Sequence, residues 1–284
     1  MSKTLAIVLN HNLPEYTNWV YYSLQKFAND SIDLKVMDNG SKPELIPKYT
    51  HIRLPKNIYW GGALNEAFSM VLKDSQYDSL LFLNNDIEFN PEIFFRRLRD
   101  SMFRYDLAIA TPCISGKPQP WRQMQNWGSQ EPRLVRWIDN QAPLIHRKVI
   151  EAIVQFPDAL RIGWGQELIC YEVCRDHGWK IAVLDYVDMI HFGKQTVLQN
   201  RLFKEDNHEG SGEEAVEWET FKAEALRSRD IWFEQHPLKY ETLQEQVDWA
   251  LTYRYMAPAD VKSATPIQDQ TKTAGGWRKL FGWK

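Results

Sequence analysis

The sequence predicts an α/β fold: a doubly wound, mostly parallel sheet flanked by helices, with a C-terminal helical extension. Three observations predict it. Strand-sized apolar runs alternate with helical periodicity between Leu5 and Phe103, the rhythm of βαβ units with right-handed crossovers. The run Leu5-Ala6-Ile7-Val8-Leu9 is apolar at every position, as expected of a parallel strand covered on both faces. Beyond Glu213 the periodicity is helical, first to His236 and then from Tyr240 to Tyr255.

The remaining elements follow in order. Tyr16 to Phe27 has helical spacing, with Trp19, Val20, Leu24 and Phe27 on one side. Leu34 to Met37 is a second strand, ended by the turn formers Asp38-Asn39-Gly40-Ser41. A short strand, His51 to Leu54, precedes Gly61-Gly62, which opens a helix through Leu72. Leu80 to Leu83 is the next strand, and Asn90-Pro91 offers an N-cap and first-turn proline for a helix reaching Phe103. Ala108-Ile109-Ala110 then reads as a strand, Ser115 to Gly128 as a long polar loop rich in Pro and Trp, and Arg136 to His146 as strand again. Helices from Lys148 to Phe156 and from Gln166 to His177, the second closed by Gly178, lead to a strand at Ile181–Leu184 and on to His191. Residues 257–276 have the composition of a linker.

Bulk properties narrow the function. A net charge of −3 over 284 residues leaves no global basic field for nucleic acid. The longest apolar runs are strand-sized, far short of a membrane span. Met1-Ser2-Lys3-Thr4 enters the first strand at once, leaving no room for a signal peptide, and three cysteines without framework spacing suit a reducing compartment. The expectation is a cytoplasmic protein. Cys170, Cys174 and His177 share one helix, but no fourth metal ligand is evident, and buried thiols acting as small hydrophobes are the simpler reading.

Chemistry concentrates where strands end. Asn10-His11-Asn12, Asp38-Asn39-Gly40-Ser41 and Asn84-Asn85-Asp86 each follow a strand, as does His191, and ligands of open α/β sheets collect at those carboxyl ends. A hard divalent cation carrying phosphates takes oxygen ligands, often with only one or two protein carboxylates. The Asn84–Asp86 cluster suits such a site. The alternative, a polar turn capping the next helix, accounts for Asn90 and Pro91 but not for three polar groups in a row. Between Asn57 and Asn65 the paired Gly61-Gly62 lets backbone approach a ligand closely. No GxGxxG and no phosphate-cradling lysine motif is present. Trp60, Trp121, Trp127 and Trp164 lie beside polar segments, where an indole face can stack on a sugar or base.

With these motifs in this order, residues 4–195 resemble the family 2 glycosyltransferases of the GT-A fold. The resemblance implies a GT-A type, Rossmann-like sheet with a nucleotide-sugar-binding half at 1–105 and an acceptor half at 106–200 of the same domain. A helical extension at 201–256 and a linker and tail at 257–284 follow. It implies donor contacts from Asn10, Asn12, Asp38 and Asn39, from the Asn57…Gly61-Gly62…Asn65 loop, and from Asn84 and Asn85. Asp86 and His191 would hold Mn²⁺ or Mg²⁺. Gln166-Glu167…Arg175…Gly178-Trp179 is similar to the segment carrying the family's catalytic base, which falls on Glu167; a solvated helix-N-terminal carboxylate is the plain alternative. Two departures stand out: Asn84 replaces the first acid of a DxD-type motif, and Gln166-Glu167 replaces Glu-Asp.

The function implied is inverting transfer of a sugar from a nucleoside diphosphate, with UDP or dTDP favoured because Asp38 can accept from an imide, to a glycan or lipid-linked hydroxyl in surface polysaccharide assembly. A homologue that binds without turnover and a sugar nucleotidyltransferase are the alternatives. The nucleotidyltransferase would need a Gly-rich basic loop that Leu9-Asn10-His11-Asn12 lacks. Residues 277–284 combine cations with aromatics, which suits peripheral contact with the inner face of a membrane. The helices from Glu213 to Tyr255 suit either a buttress or a homo-oligomer interface.

Overall fold

The computed structural model describes residues 2–116, 121–193 and 218–237. Their sheet contains β1 (Lys3–Asn10), β2 (Ile32–Asn39), β3 (Thr50–Leu54), β4 (Tyr77–Leu83), β5 (Ile87–Phe89), β6 (Leu107–Ser115), β7 (Arg133–Val135), β8 (Leu144–His146) and β9 (Lys180–His191). The order is β3-β2-β1-β4-β8-β6-β9-β5, with β7 beside β9. The long strands β1, β2, β4, β6 and β9 run one way together with β3; the short β5, β7 and β8 oppose them. Around the sheet lie α1 (Pro14–Gln25), α2 (Tyr59–Lys73), α3 (Phe94–Arg104), α4 (Arg147–Ile153), α5 (Gln166–Asp176) and α6 (Trp218–Gln235). This is the mostly parallel, helix-flanked α/β sheet that the sequence predicts.

Apolar continuity explains the centre. Leu5 to Val8 and Leu80 to Leu83 are 0% exposed, each Leu, Ile, Val and Phe side chain contributing about 1.5–3 kcal/mol by leaving water. β1 pairs with β2 as far as Asn10↔Asp38 and with β4 as far as Val8↔Leu83. The chain runs outward from β1 to β3 and then returns to the other side of β1 as β4. That reversal is a topological switch point, where the loops after neighbouring strands part and leave a crevice.

Two expectations need correction. The helix after β5 begins at Phe94, not at Asn90. The Asn90 side chain accepts from the Glu92 N–H at 3.1 Å, making an Asx turn, and helical phase starts where Phe94, Phe95 and Leu98 turn to the core. Arg136 to His146 is not one strand either. The chain leaves β7 at Val135, folds across residues 137–143, and re-enters the sheet as β8. Pro143 has no N–H for a ladder. Instead Gln141 O accepts from Asn84 N at 2.9 Å and Pro143 O from Phe82 N at 3.0 Å, which lays this segment along the end of β4.

α6 supplies the described part of the C-terminal extension. Phe233 packs with Leu160 and Leu168, and Trp232 lies against them. The helix expected from Tyr240, the linker and the tail lie outside the described residues. No helix among the described residues is long and apolar enough to cross a membrane.

Arg147, at the start of α4, closes the end of α2. Its Nη1 donates to the carbonyl oxygens of Val71 (2.9 Å), Asp74 (3.0 Å) and Tyr77 (3.0 Å), and its Nε to Glu151 at 2.6 Å. A cation at a helix C-terminus also suits the local dipole. Arg147→Ala is expected to lower stability by about 2–3 kcal/mol, read as a shift of the urea midpoint; an unchanged midpoint would show that water replaces the guanidinium.

Candidate functional site

The crevice at the switch point is floored by a polar network around Asn10, which is 0% exposed. Its Nδ2 donates to Asp38 Oδ1 (2.8 Å) and Ser41 Oγ (2.9 Å), and its Oδ1 accepts from Thr17 Oγ1 at 2.7 Å. Asn85 joins from β4 by donating to Thr17 Oγ1 at 2.9 Å. Asp38, also 0% exposed, has its second oxygen on the Ser41 N–H at 3.3 Å. Asn12 Oδ1 accepts from Lys42 N at 3.0 Å, and Ser41 Oγ accepts from Asn12 N at 2.9 Å. Burial demands that these groups find partners, and they find them in one another. Asn10 and Asp38 thus shape the loops and turn no spare group toward a ligand, while Asn85 commits its amide N–H to the same network.

A second layer sits above β2. Asn39 Nδ2 donates to Asn57 Oδ1 at 3.0 Å, and Asn39 Oδ1 accepts from Ile58 N at 2.9 Å. His11 lies between them, its Nδ1 at 2.9 Å from Asn39 O and its Nε2 at 3.2 Å from Asn57 Nδ2. An amide N–H can only donate, so Nε2 accepts and the Nδ1–H donates, which is the neutral imidazole. Gly40 takes φ +69°, and a Cβ there would lie 2.2 Å from Lys56 C. This turn and the approach to Asn57 therefore need glycine.

The paired glycines serve packing, not an open phosphate cradle. The N–H groups of Gly61 and Gly62 donate to Arg161 O at 2.7 and 3.2 Å. A Cβ on Gly61 would meet Gln166 Nε2 at 2.2 Å and the carbonyl oxygens of Leu160 and Arg161 at 2.7 Å. Gln166 is 0% exposed and donates to Leu160 O at 3.1 Å; a neutral amide fits this buried place, where a carboxylate would lack a counter-charge. Asn65 is likewise engaged, exchanging two 2.9 Å bonds with the backbone of Phe156.

At the far side of the crevice the titratable groups gather. β5 pairs with β9 at Ile87↔His191, and Phe192 N donates to Asp86 O at 2.9 Å. This pairing brings His191 Nε2 to 3.2 Å from Asp86 Oδ1. Burial pulls the His191 imidazole down, but the bond to Asp86 and the charges of Asp86 and Asp139 outweigh it, so its pKa is raised. Among the described residues no three His, Cys, Asp or Glu side chains are gathered for a metal ion. Asp86 and His191 are the two side chains here that could hold a cation, which would take its other ligands from phosphate and water.

Asp139 is the residue that the sequence did not single out. It sits in the segment misread as strand; burial raises its own pKa, and when ionised its charge acts on both His191 and Glu167. Glu167 is in the first turn of α5, its Oε2 accepting from Gly165 N at 2.9 Å. Burial, then the neighbouring Asp139 charge, push its carboxyl up to about 7, with the Glu167 and Gly165 backbone N–H groups and Arg229 opposing. Arg229 and Phe233 of α6 cover Gly165, so the C-terminal helix braces this turn.

The tryptophans divide. Trp164 lies in the turn that carries Glu167, between Gly163 and Gly165. Trp121 stands edge-on to Trp137, ring centroids 5.0 Å apart. Trp127 lies under the Arg133 guanidinium at 4.2 Å, and its backbone N–H donates to Asp185 Oδ2 at 2.9 Å. Arg133 and Asp185 form a buried ion pair at 2.8 Å that staples this loop to β9. Cys113, Cys170 and Cys174 are free and buried.

No protein-family profile and no curated protein matches this chain. Among solved structures, the crystal structure of A197 from STIV is similar at a TM-score of 0.44 and 15% identity, over 67% of this chain and 85% of that one. That distance bears no weight on function.

Two outcomes follow from the geometry. Gly61→Ala should cost about 1–3 kcal/mol through overpacking; a thermal melt equal to wild type would mean that the Leu160–Gln166 turn yields freely. Glu167 holds in the folded state a proton that the unfolded chain releases near 4.5, so its part of the stability falls as pH rises from about 4.5 to about 7. Glu167→Gln has no such loss, and its melting point should gain on wild type between pH 5 and pH 8. Parallel curves would remove the burial argument.

Proposed function

We propose that the protein is a metal-dependent, inverting glycosyltransferase that moves a sugar from a nucleoside diphosphate to a glycan or lipid-linked hydroxyl. One observation carries the reading: Asp139 acts electrostatically both on His191, which pairs with Asp86 at 3.2 Å, and on Glu167, a carboxyl whose pKa is raised to about 7. The motif order of residues 4–195 supports it independently.

The division of labour follows from the reaction. A leaving diphosphate concentrates negative charge, which a divalent cation held by Asp86 and His191 would neutralise. An acceptor hydroxyl is a weak nucleophile, and Glu167 would take its proton as the new bond forms. A base near pH 7 is well matched to that task. With the base and the departing diphosphate on opposite sides of the anomeric carbon, displacement is direct and inverts configuration. Asp38 is used up inside the network, so base preference does not follow from its carboxylate. A binding protein without turnover is the second reading, favoured by the engagement of Asn84 with protein partners.

Thermal stability against UDP, dTDP, GDP, CDP and ADP, each with and without Mn²⁺, tests the donor site, since ligand that binds only the folded state raises the melting point. A manganese-dependent shift for one nucleotide is expected; none with any of them would sink the donor-site reading. With the active donor, Glu167→Gln should keep the nucleotide shift and lose at least about 100-fold in kcat. Wild-type kcat/KM should rise with pH through about 7. Wild-type turnover in the variant would remove Glu167 as the base.

A further inference from the structure

Asn84 occupies the position at which the resembled family carries an acid, yet its side chain is spent on two protein partners. Trp60 Nε1 donates to Asn84 Oδ1 at 2.8 Å. Asn84 Nδ2 donates to Gln141 Oε1. Gln141 Nε2 donates to Asp139 Oδ2 at 3.0 Å. This chain has a fixed direction. An indole nitrogen has only a proton to give, so Asn84 must present its oxygen to Trp60 and its N–H₂ to Gln141. Gln141 must then present its own N–H₂ to Asp139. Amides at both 84 and 141 are required, because each must accept on one side and donate on the other.

The ends of the chain are firmly seated. Trp60 packs edge-on to Phe82 at 5.1 Å, near the C-terminal end of the buried strand β4. Backbone bonds from Asn84 N to Gln141 O (2.9 Å) and from Gln141 N to Asp139 O (2.9 Å) hold the two segments in register. The free end is the partly exposed Asp139; burial raises its pKa, and when ionised its charge acts on both His191 and Glu167. Resting on the function proposed above, these two hold the cation and act as the base, and the transferred sugar must lie between them.

We propose that Asn84 is a positioning residue, the first amide of a one-way hydrogen-bond chain that fixes Asp139 to receive a hydroxyl of the donor sugar. The asparagine at 84 is then a working replacement and not a lost metal ligand. An aspartate there could still accept from Trp60 but would set its other oxygen against Gln141 Oε1. Gln141 would have to turn over, and its oxygen would then face Asp139.

The test compares a bare nucleotide with its sugar conjugates. The nucleoside diphosphate that shifts the wild-type melting point is titrated with Mn²⁺, then replaced by its glucose, galactose, N-acetylglucosamine and rhamnose conjugates. The increment over the bare nucleotide reads the sugar. For Asn84→Asp and Asp139→Asn, we expect the bare-nucleotide shift and the Mn²⁺ dependence to persist while the best conjugate binds at least about tenfold more weakly. A retained increment in Asn84→Asp, tighter Mn²⁺ binding by that variant, or no increment for any conjugate in wild type would each overturn the proposal. Should Asn84→Asp fail to fold, Gln141→Leu breaks the same chain and carries the same expectations. The chain itself is read without any ligand from the indole N–H resonance of Trp60 in ¹⁵N-tryptophan-labelled protein, assigned with Trp60→Phe. Asp139→Asn should move it, and should no longer move it on a Gln141→Leu background. If no nucleotide shifts the wild-type protein, the functional reading fails. A Trp60 resonance indifferent to Asp139→Asn overturns the chain.

Discussion

The structure depends on the side-chain amide of Asn10. It lies where β1 ends, with no exposed surface, and its two ends tie together the loops that follow β1, β2 and β4. A buried amide left without partners would cost several kcal/mol, so the loops must come to it. Once Asp38, Ser41, Thr17 and Asn85 are drawn in, the positions of Asn39, Asn57 and the start of α2 follow through the second layer. The crevice walls are therefore set by hydrogen bonds that no ligand touches. This separates two kinds of polar residue: those spent on shape, such as Asn10 and Asp38, and the series Asp86, His191, Asp139 and Glu167, in which each group acts electrostatically on the next.

The strands were legible because apolar continuity reports burial on both faces. Leu5–Leu9 and Leu80–Leu83 need no other signal. Caps were less legible. Asn90-Pro91 has the composition of a helix start, but the burial phase of Phe94, Phe95 and Leu98 sets the helix and leaves Asn90 a turn. The stretch from Arg136 to His146 misled for a related reason. Its apolar residues Trp137, Ile138, Leu144 and Ile145 are buried, but they belong to two elements joined by a reversal that only tertiary pairing with β4 creates. Asp139 was invisible in consequence, since its meaning comes from His191 and Glu167, distant in sequence. The one available cue was Pro143, which cannot sit within a central strand.

The motif residues fared unevenly. Asp86 and His191 come within 3.2 Å of each other, and Glu167 stands in the first turn of α5. Asn65, Gly61 and Gly62 belong to packing between α2 and the Leu160–Gln166 turn. A sequence pattern marks positions where little substitution is tolerated, and close backbone contact restricts a position as tightly as a ligand does. Spacing alone does not separate these causes.

The place of β8 has a consequence for how the chain assembles. β4 is flanked by β1 on one side, but its other edge, Ser79 to Leu81, is paired only by residues 144–146, which arrive after α3, β6 and β7. A chain emerging in order would expose that apolar edge until some sixty residues later, and an open apolar edge invites pairing with other chains. The boundary near residue 105 accordingly does not separate two folding units: neither half closes its sheet without the other.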